Sequence, residues 1–124
     1  MARILVIDDE ELARFTVRKY LESAGHSVIE AKDGIEGLAQ QNDDPCDLVI
    51  TDIIMPEKEG LETIMELRRA DPNLPIIAIS GGGREGYAGY LESAQPFGAN
   101  YSLAKPFSQD DLLGAVESCL SKTS

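Results

Sequence analysis

Several residue types that carry catalytic or cross-linking chemistry are scarce in this sequence. Its 124 residues include no tryptophan, one histidine and two cysteines. A single histidine excludes a histidine pair as a catalytic device, and two isolated cysteines form neither a disulfide framework nor a metal-ligand spacing. We therefore expect Cys46 and Cys119 to be buried thiols and His26 to lie in a surface loop.

Positive charge and long apolar runs are also scarce. The 11 Lys and Arg residues are outnumbered by 22 Asp and Glu residues, which gives a net charge of −11. This charge opposes binding to the phosphate backbone of nucleic acids and to anionic lipid surfaces. No apolar run approaches the roughly 20 residues that a membrane-spanning helix needs. We expect a soluble, cytoplasmic protein that binds neither nucleic acid directly nor membranes.

What the sequence does contain is a regular alternation of strand-like and helix-like segments. Its length fits one domain. Short runs rich in Ile and Val are separated by segments with helical spacing, which favours a parallel sheet covered by helices on both faces. For the last helix, Ser108 and Asp111 predict an N-terminal cap. The predicted strands lie at residues 4–7, 28–29, 48–50, 76–79 and 99–103.

Polar residues follow four of these strands. In a parallel α/β sheet the ligand site lies at the carboxyl ends of the strands, so these side chains should converge. Carboxylates about 4 Å apart repel by roughly 4 kcal/mol at an effective dielectric of 20, and a positive charge must compensate. Few hard oxygen ligands suit Mg²⁺, and a lysine supplies a second positive charge. The residues are Asp8 and Asp9 after the first strand, Asp52 after the third, Ser80 after the fourth and Lys105 after the fifth.

Four stretches together resemble the receiver domain of two-component response regulators, in particular the stand-alone receivers of the chemotaxis-regulator type. They are Ile4–Glu10 (ILVIDDE), Asp47–Pro56 (DLVITDIIMP), Pro75–Ser80 (PIIAIS) and the segment from Gly98 to Phe107 that contains Lys-Pro-Phe. The resemblance covers nearly the whole chain. It implies a flavodoxin-like α/β fold with strand order 2-1-3-4-5 and five helices, and one receiver domain over residues 1–124.

The resemblance also implies an activity and a metal site. Asp52 would be the phosphoacceptor, which takes a phosphoryl group from a phosphohistidine on a sensor histidine kinase or a histidine phosphotransfer protein. Asp9, Asp52 and the backbone carbonyl of Ile54 would ligate Mg²⁺, and Asp8 would contribute directly or through water. The protein would be a signalling switch rather than an enzyme, although it assists its own phosphotransfer and the hydrolysis of its aspartyl phosphate.

Three further residues take their functions from the same resemblance. Lys105 would pair with a phosphoryl oxygen, and the Ser80 hydroxyl would move to bond another after phosphorylation. Pro106 would follow a cis peptide bond, which only X-Pro tolerates at low cost. The signal would reach a downstream protein through the surface around the fourth helix and fifth strand, with the glycines at 81–83 as a switch loop. Phosphorylation-dependent dimerisation is a further expectation.

One position departs from the family pattern. The strand residue three before the lysine of Lys-Pro is usually aromatic and rotates inward on activation, whereas Ser102 stands here. Tyr101 is adjacent, but neighbouring strand residues point to opposite faces of the sheet. We therefore expect activation without the usual aromatic rotation.

Three alternatives fit the sequence less well. A haloacid-dehalogenase-type phosphatase needs a second Asp two residues after its nucleophile, where Ile54 stands. A flavodoxin-like cofactor binder needs a phosphate-binding loop after the first strand, where residues 8–11 are all acidic and would repel a phosphate. A receiver-like module that is never phosphorylated conflicts with the filled catalytic positions. The cognate kinase, the target and the phosphate lifetime stay open, as does membership of a longer regulator.

Overall fold

The computed structural model describes residues 2–53, 60–80, 98–105 and 107–121, and in these residues strands and helices alternate from the first strand to the fourth. The predicted helix between the fourth and fifth strands lies outside the described residues, which contain four helices where the sequence predicted five. The elements are β1 (Arg3–Ile7), α1 (Glu11–Ser23), β2 (Ser27–Ala31), α2 (Gly34–Asp43), β3 (Leu48–Asp52), α3 (Gly60–Ala70), β4 (Ile76–Ser80), β5 (Tyr101–Ala104) and α4 (Gln109–Ser121).

The five strands form one parallel sheet in the order β2-β1-β3-β4-β5. This confirms the predicted flavodoxin-like strand order. From β1 the chain first adds β2 on one side and then crosses to add β3 on the other. The order therefore reverses between β1 and β3, and the crevice at their carboxyl ends is where such sheets bind ligands.

The sheet separates two hydrophobic cores. Successive strand residues point to opposite faces, so Leu5 and Ile7 of β1 join one core while Ile4 and Val6 join the other. The first core includes buried residues of α3, and the second includes those of α1 and α4. Because both faces are covered, β1 is apolar from Ile4 to Ile7 and β3 from Leu48 to Ile50, and the polar side chains of the site follow at the carboxyl ends of these runs.

Several local expectations are also met. The Ser108 hydroxyl accepts from the Asp111 amide at 3.0 Å, and the Asp111 carboxylate accepts from the Ser108 amide at 3.1 Å, which confirms the predicted cap of α4. Cys46 and Cys119 are buried free thiols. His26 lies between α1 and β2, where its Nδ1 accepts from the Ala2 amide at 3.1 Å.

None of the described helices combines the length and the apolar character that a bilayer-spanning segment requires.

Candidate functional site

The structure brings Asp8, Asp9 and Asp52 together at the carboxyl ends of β1 and β3. One carboxylate oxygen from each residue lies within 4.8 Å of the other two. The register of the two strands pairs Ile7 with Thr51, so Asp8 and Asp52 leave the sheet at the same level. Asp8 and Asp52 are buried, and Asp9 is exposed. The cluster predicted from the strand ends is therefore present, with one of its carboxylates open to solvent.

Lys105 supplies a positive charge to this cluster from the end of β5. Its Nζ lies 3.3 Å from Asp8 Oδ2 and 3.3 Å from Asp52 Oδ2. Burial alone would lower the pKa of this ammonium group, but the carboxylates of Asp52 and Asp8 outweigh that effect and raise it. Lys105 therefore stays charged and is shared between the two buried carboxylates.

The Asp8 carboxylate lies in an unfavourable electrostatic setting. Burial raises its pKa, and hydrogen bonding from the Glu10 amide at 2.9 Å together with the nearby Lys105 offsets this only in part. Among the described residues of the cluster, one ammonium group faces three carboxylates, so negative charge is in excess. A hard divalent cation with few protein oxygen ligands is what such a donor set accommodates, and Mg²⁺ fits it.

Gly60 fixes the end of β3 from the start of α3. Its amide donates to the Ile53 carbonyl at 2.6 Å, and the Ile53 amide donates to the Ile79 carbonyl at 2.9 Å. A Cβ on Gly60 would overlap the carbonyl oxygen of Asp52 and the backbone of Ile53. Only a residue without a side chain can approach the backbone of Asp52 and Ile53 this closely. The backbone after Asp52 is therefore held by hydrogen bonds to both α3 and β4.

Arg14 was not among the site residues predicted from the sequence. From the first half of α1 its guanidinium Nη1 donates to the backbone carbonyl of Asp8 at 2.7 Å. A basic residue five positions after an acidic pair is a weak signal by itself. Its direction depends on how α1 is rotated relative to the loop before it, which the spacing alone does not give.

The other predicted residues are placed to different extents. Ser80 is the last residue of β4 and pairs in register with Ala104, so its backbone lies at the same edge of the sheet as Asp52. Ser102 pairs with Ala78. Tyr101 lies on the opposite face, the one that Leu103 shares with α4. Three predictions lie outside the described residues and stay predictions: the Ile54 carbonyl as a metal ligand, the cis bond before Pro106 and the switch loop at 81–83.

Comparison with known proteins gives the family. Residues 4–117 match the family model described as response regulator receiver domain. The chain belongs to this family. Receiver domains are the phosphoacceptors of two-component signalling, and the family consists of signalling switches rather than conventional enzymes.

Individual relatives agree with this. The chain is 34% identical over 122 residues to response regulator MprA of Mycobacterium sp. (strain KMS), an alignment that spans 98% of this chain and 52% of MprA. It is 33% identical over 123 residues to sensor kinase CckA of Brucella abortus (strain 2308), spanning 98% of this chain and 13% of CckA. The crystal structure of the receiver domain of NtrX from Brucella abortus superposes with a TM-score of 0.90 at 36% identity, covering 98% of this chain and 99% of that one. The chain thus spans about half the length of MprA and a much smaller part of CckA.

Proposed function

We propose that Asp52 is the residue that accepts the phosphoryl group, from a phosphohistidine on a sensor histidine kinase or a histidine phosphotransfer protein. The observation that supports this is the position of the Asp52 carboxylate, which is buried at the end of a central strand, 3.3 Å from Lys105 Nζ. Asp8 and Asp9 lie beside it. Asp8 shares Lys105 and the same neighbours, and what distinguishes Asp52 is its place at the end of β3, the middle strand of the five, which is the phosphoacceptor position that the receiver resemblance implies.

The transfer needs positioning and charge neutralisation more than proton chemistry. A carboxylate oxygen of Asp52 forms a bond to phosphorus while the bond between phosphorus and the donor imidazole nitrogen breaks, and that nitrogen keeps the electron pair. An ionised carboxylate requires no general base for this step. The Lys105 ammonium group, 3.3 Å from Asp52 Oδ2, would pair with a phosphoryl oxygen once Asp52 is modified.

We propose that Asp8, Asp9 and Asp52 hold Mg²⁺, with the carbonyl of Ile54 as a further ligand expected from the sequence. A bound Mg²⁺ ion supplies positive charge to the phosphoryl oxygens. The chain's own contribution is to bring the three carboxylates together. Asp8 is held by the Glu10 amide, and Lys105 bridges Asp8 and Asp52.

The output side of the proposal concerns the surface that changes on phosphorylation. The Ser80 hydroxyl would bond a second phosphoryl oxygen. This bond would move the segment between β4 and β5, together with β5, the strand that contains Ser102. A downstream protein, or a second copy of the domain, then binds this surface. We propose that residues 1–124 form one receiver domain acting in the cytoplasm, which also hydrolyses its own aspartyl phosphate.

The test of the phosphoacceptor is chemical. The protein is incubated with acetyl phosphate and Mg²⁺, and its intact mass is measured before and after. We expect one added phosphoryl group in the parent and none in Asp52→Asn. Reduction of the acyl phosphate with borohydride followed by peptide mapping should locate the modification at Asp52. Labelling of Asp52→Asn to the level of the parent would contradict the proposal.

A further inference from the structure

Arg14 joins the acidic loop after β1 to the edge strand β2. Its Nη1 donates to the Asp8 carbonyl oxygen at 2.7 Å, and its Nε donates to Glu30 Oε1 at 2.9 Å. The Arg14 side chain is 16% exposed and that of Glu30 is 26% exposed. A planar guanidinium that donates in two directions to two fixed acceptors is held in one orientation, and both bonds are charge-assisted.

The carbonyl that Arg14 binds belongs to the peptide unit between Asp8 and Asp9. The amide of Asp8 donates to the Ala31 carbonyl at 3.1 Å, and its carboxylate accepts from the Glu10 amide at 2.9 Å. Each polar group of Asp8 is thus held by a different part of the chain, and its carbonyl is held by Arg14. Fixing that carbonyl fixes the plane of the following peptide, and with it the direction in which Asp9 leaves the backbone.

The orientation of the Asp9 side chain depends on a fixed Asp8–Asp9 peptide more than the orientations of Asp8 and Asp52 do. Asp8 and Asp52 are buried and share Lys105, whereas the Asp9 side chain is exposed. An exposed carboxylate keeps its rotational freedom unless the backbone beneath it is fixed. Loosening the Asp8–Asp9 peptide would therefore lower the fraction of molecules in which all three carboxylates face one ion.

Glu30 is the carboxylate that holds the Arg14 guanidinium in place, and Arg18, which also donates to Glu30, provides a matched comparison with Arg14. Arg18 lies one turn after Arg14 on α1, and its Nη1 donates to Glu30 Oε2 at 2.6 Å while its Nε donates to Glu22 at 3.0 Å. Hydrogen bonding from Arg18, and then from Arg14, lowers the pKa of Glu30 in spite of its burial. Both arginines thus pair with the same carboxylate, but it is Arg14 that donates to the backbone of Asp8.

We propose that Arg14 is a positioning residue of the acidic site: it holds the Asp8–Asp9 peptide against Glu30 and so orients Asp9 toward the cation. The inference rests on the proposed function, because it concerns the same metal site. It adds a residue that contacts neither ion nor phosphoryl group and acts through a backbone carbonyl. Partners that orient metal ligands typically change metal affinity by about 10–100-fold when they are removed.

The experiment compares Arg14→Met with Arg18→Met, since each variant removes one arginine from Glu30. Mg²⁺ affinity is measured by isothermal titration calorimetry on metal-free protein, and thermal unfolding shows that each variant is folded. We expect Arg14→Met to bind Mg²⁺ about tenfold more weakly than the parent. Arg18→Met should differ from the parent by no more than about twofold, because an exposed ion pair contributes little.

Two further measurements separate positioning from general destabilisation. In metal-free protein, the backbone amide shift of Asp9 should change more in Arg14→Met than in Arg18→Met. In phosphorylation by acetyl phosphate, Arg14→Met should need about tenfold more Mg²⁺ for half-maximal rate and approach the parent rate at saturation. An Mg²⁺ affinity in Arg14→Met equal to that of Arg18→Met would overturn the inference.

Arg14→Lys, the conservative variant, tests the inference in case Arg14→Met does not fold. Arg14→Lys keeps the charge, but a single ammonium group lacks the planar fork that reaches both acceptors. We expect its Mg²⁺ affinity to fall between those of the parent and Arg14→Met, and an affinity equal to the parent would count against the proposal. A parent protein that binds no Mg²⁺, or that is phosphorylated elsewhere than Asp52, would instead refute the proposed function, and the Asp9 shift in metal-free protein keeps the two failures distinct.

Discussion

The Nζ atom of Lys105 lies 3.3 Å from Oδ2 of Asp52, although 53 residues separate them in sequence. The contact exists because β4 lies between β3 and β5 in a parallel sheet, so the residues that follow these strands meet at one edge. The same ammonium group also contacts Asp8 at 3.3 Å. This cation therefore contacts the two buried carboxylates, and among the described residues of the cluster negative charge stays in excess.

The first prediction concerns the cost of this charge imbalance. Asp8→Asn should stabilise the protein in the presence of a chelator, because it removes a buried carboxylate from beside two others while an amide oxygen can still accept from the Glu10 amide. Charges about 5 Å apart interact by roughly 1 kcal/mol in water and about four times that at an effective dielectric of 20. The loss of the Lys105 contact offsets part of the relieved repulsion, so we expect a gain on the order of 1 kcal/mol. Urea unfolding at pH 7 measures it.

Adding Mg²⁺ should reverse the order of the two proteins. An ion that binds the native state and not the unfolded chain stabilises by mass action, and the parent retains the full set of carboxylates. The unfolding midpoint of the parent should therefore rise with millimolar Mg²⁺ more than that of Asp8→Asn. The cluster is not a cation site if Mg²⁺ leaves the stability of the parent unchanged and if Asp8→Asn is no more stable than the parent in chelator.

The second prediction uses two glycines in opposite settings. Gly60→Ala places a methyl group against the Asp52 carbonyl and the Ile53 backbone. Overpacking of this kind should destabilise the protein by about 1–3 kcal/mol and displace the end of β3, which slows phosphorylation by acetyl phosphate.

Gly114→Ala is the control for helix propensity. Gly114 lies in α4, and a Cβ at this position would have nothing within 4 Å, so alanine should stabilise the helix by about 0.5–1 kcal/mol. Chemical denaturation measures both variants. Equal effects of the two substitutions on stability, or an unchanged phosphorylation rate in Gly60→Ala, would show that the close approach at Asp52 is unimportant.

Sequence patterns predicted the site because hydrophobic runs mark strands and parallel strands share an edge. The apolar runs of β1 and β3 stop at Asp8 and near Asp52, and those boundaries sufficed to bring the carboxylates together. The strand order came from resemblance to a family. The metal ligand at Ile54 and the bond before Pro106 stay predictions.

Contacts that depend on the angle at which elements pack could not be predicted in this way. Arg68 of α3 donates to the Gly98 carbonyl at 2.7 Å and to Asn100 Oδ1 at 2.8 Å, and no pattern links these residues. The fifth strand was predicted to start at Ala99 but begins at Tyr101, because Asn100 Oδ1 takes the Ile76 amide at 2.8 Å in place of a backbone carbonyl.

The third prediction is a pH dependence. The pKa of Glu30 lies below its ordinary value of 4.5, with Arg18 as the main cause. The native protein thus binds this proton less tightly than the unfolded chain does, so the stabilisation is present above pH 4.5 and is lost as the pH falls through the native pKa. Glu30→Gln lacks it. We expect the parent to exceed Glu30→Gln by about 0.5–1 kcal/mol at pH 7, a gap that closes below about pH 4.5.

If the stability difference between the parent and Glu30→Gln depends on both salt and pH, the ion pairs of Glu30 are its cause. Raising ionic strength should narrow the gap at pH 7, since the Glu30 and Arg18 side chains are partly exposed to solvent. Arg18→Met offers a matched comparison, because it leaves Glu30 with Arg14 and should retain part of the pH dependence. A parent and Glu30→Gln whose stabilities run parallel from pH 7 to pH 3 would exclude Glu30 as the titrating group.

The last prediction is that activation proceeds without an aromatic rotation on β5. Ser102 pairs with Ala78, and Tyr101 lies on the other face of the strand, so neither residue can take the place of an inward-turning aromatic. Attraction of Lys105 and of the Ser80 hydroxyl to the phosphoryl oxygens remains as the driving force. Backbone amide shifts are compared with and without a beryllofluoride adduct on Asp52, in the parent and in Ser102→Tyr. We expect shifts that spread through residues 81–103 in both proteins. Shifts confined to the immediate site in the parent, but spreading to 81–103 in Ser102→Tyr, would show that the aromatic residue is required.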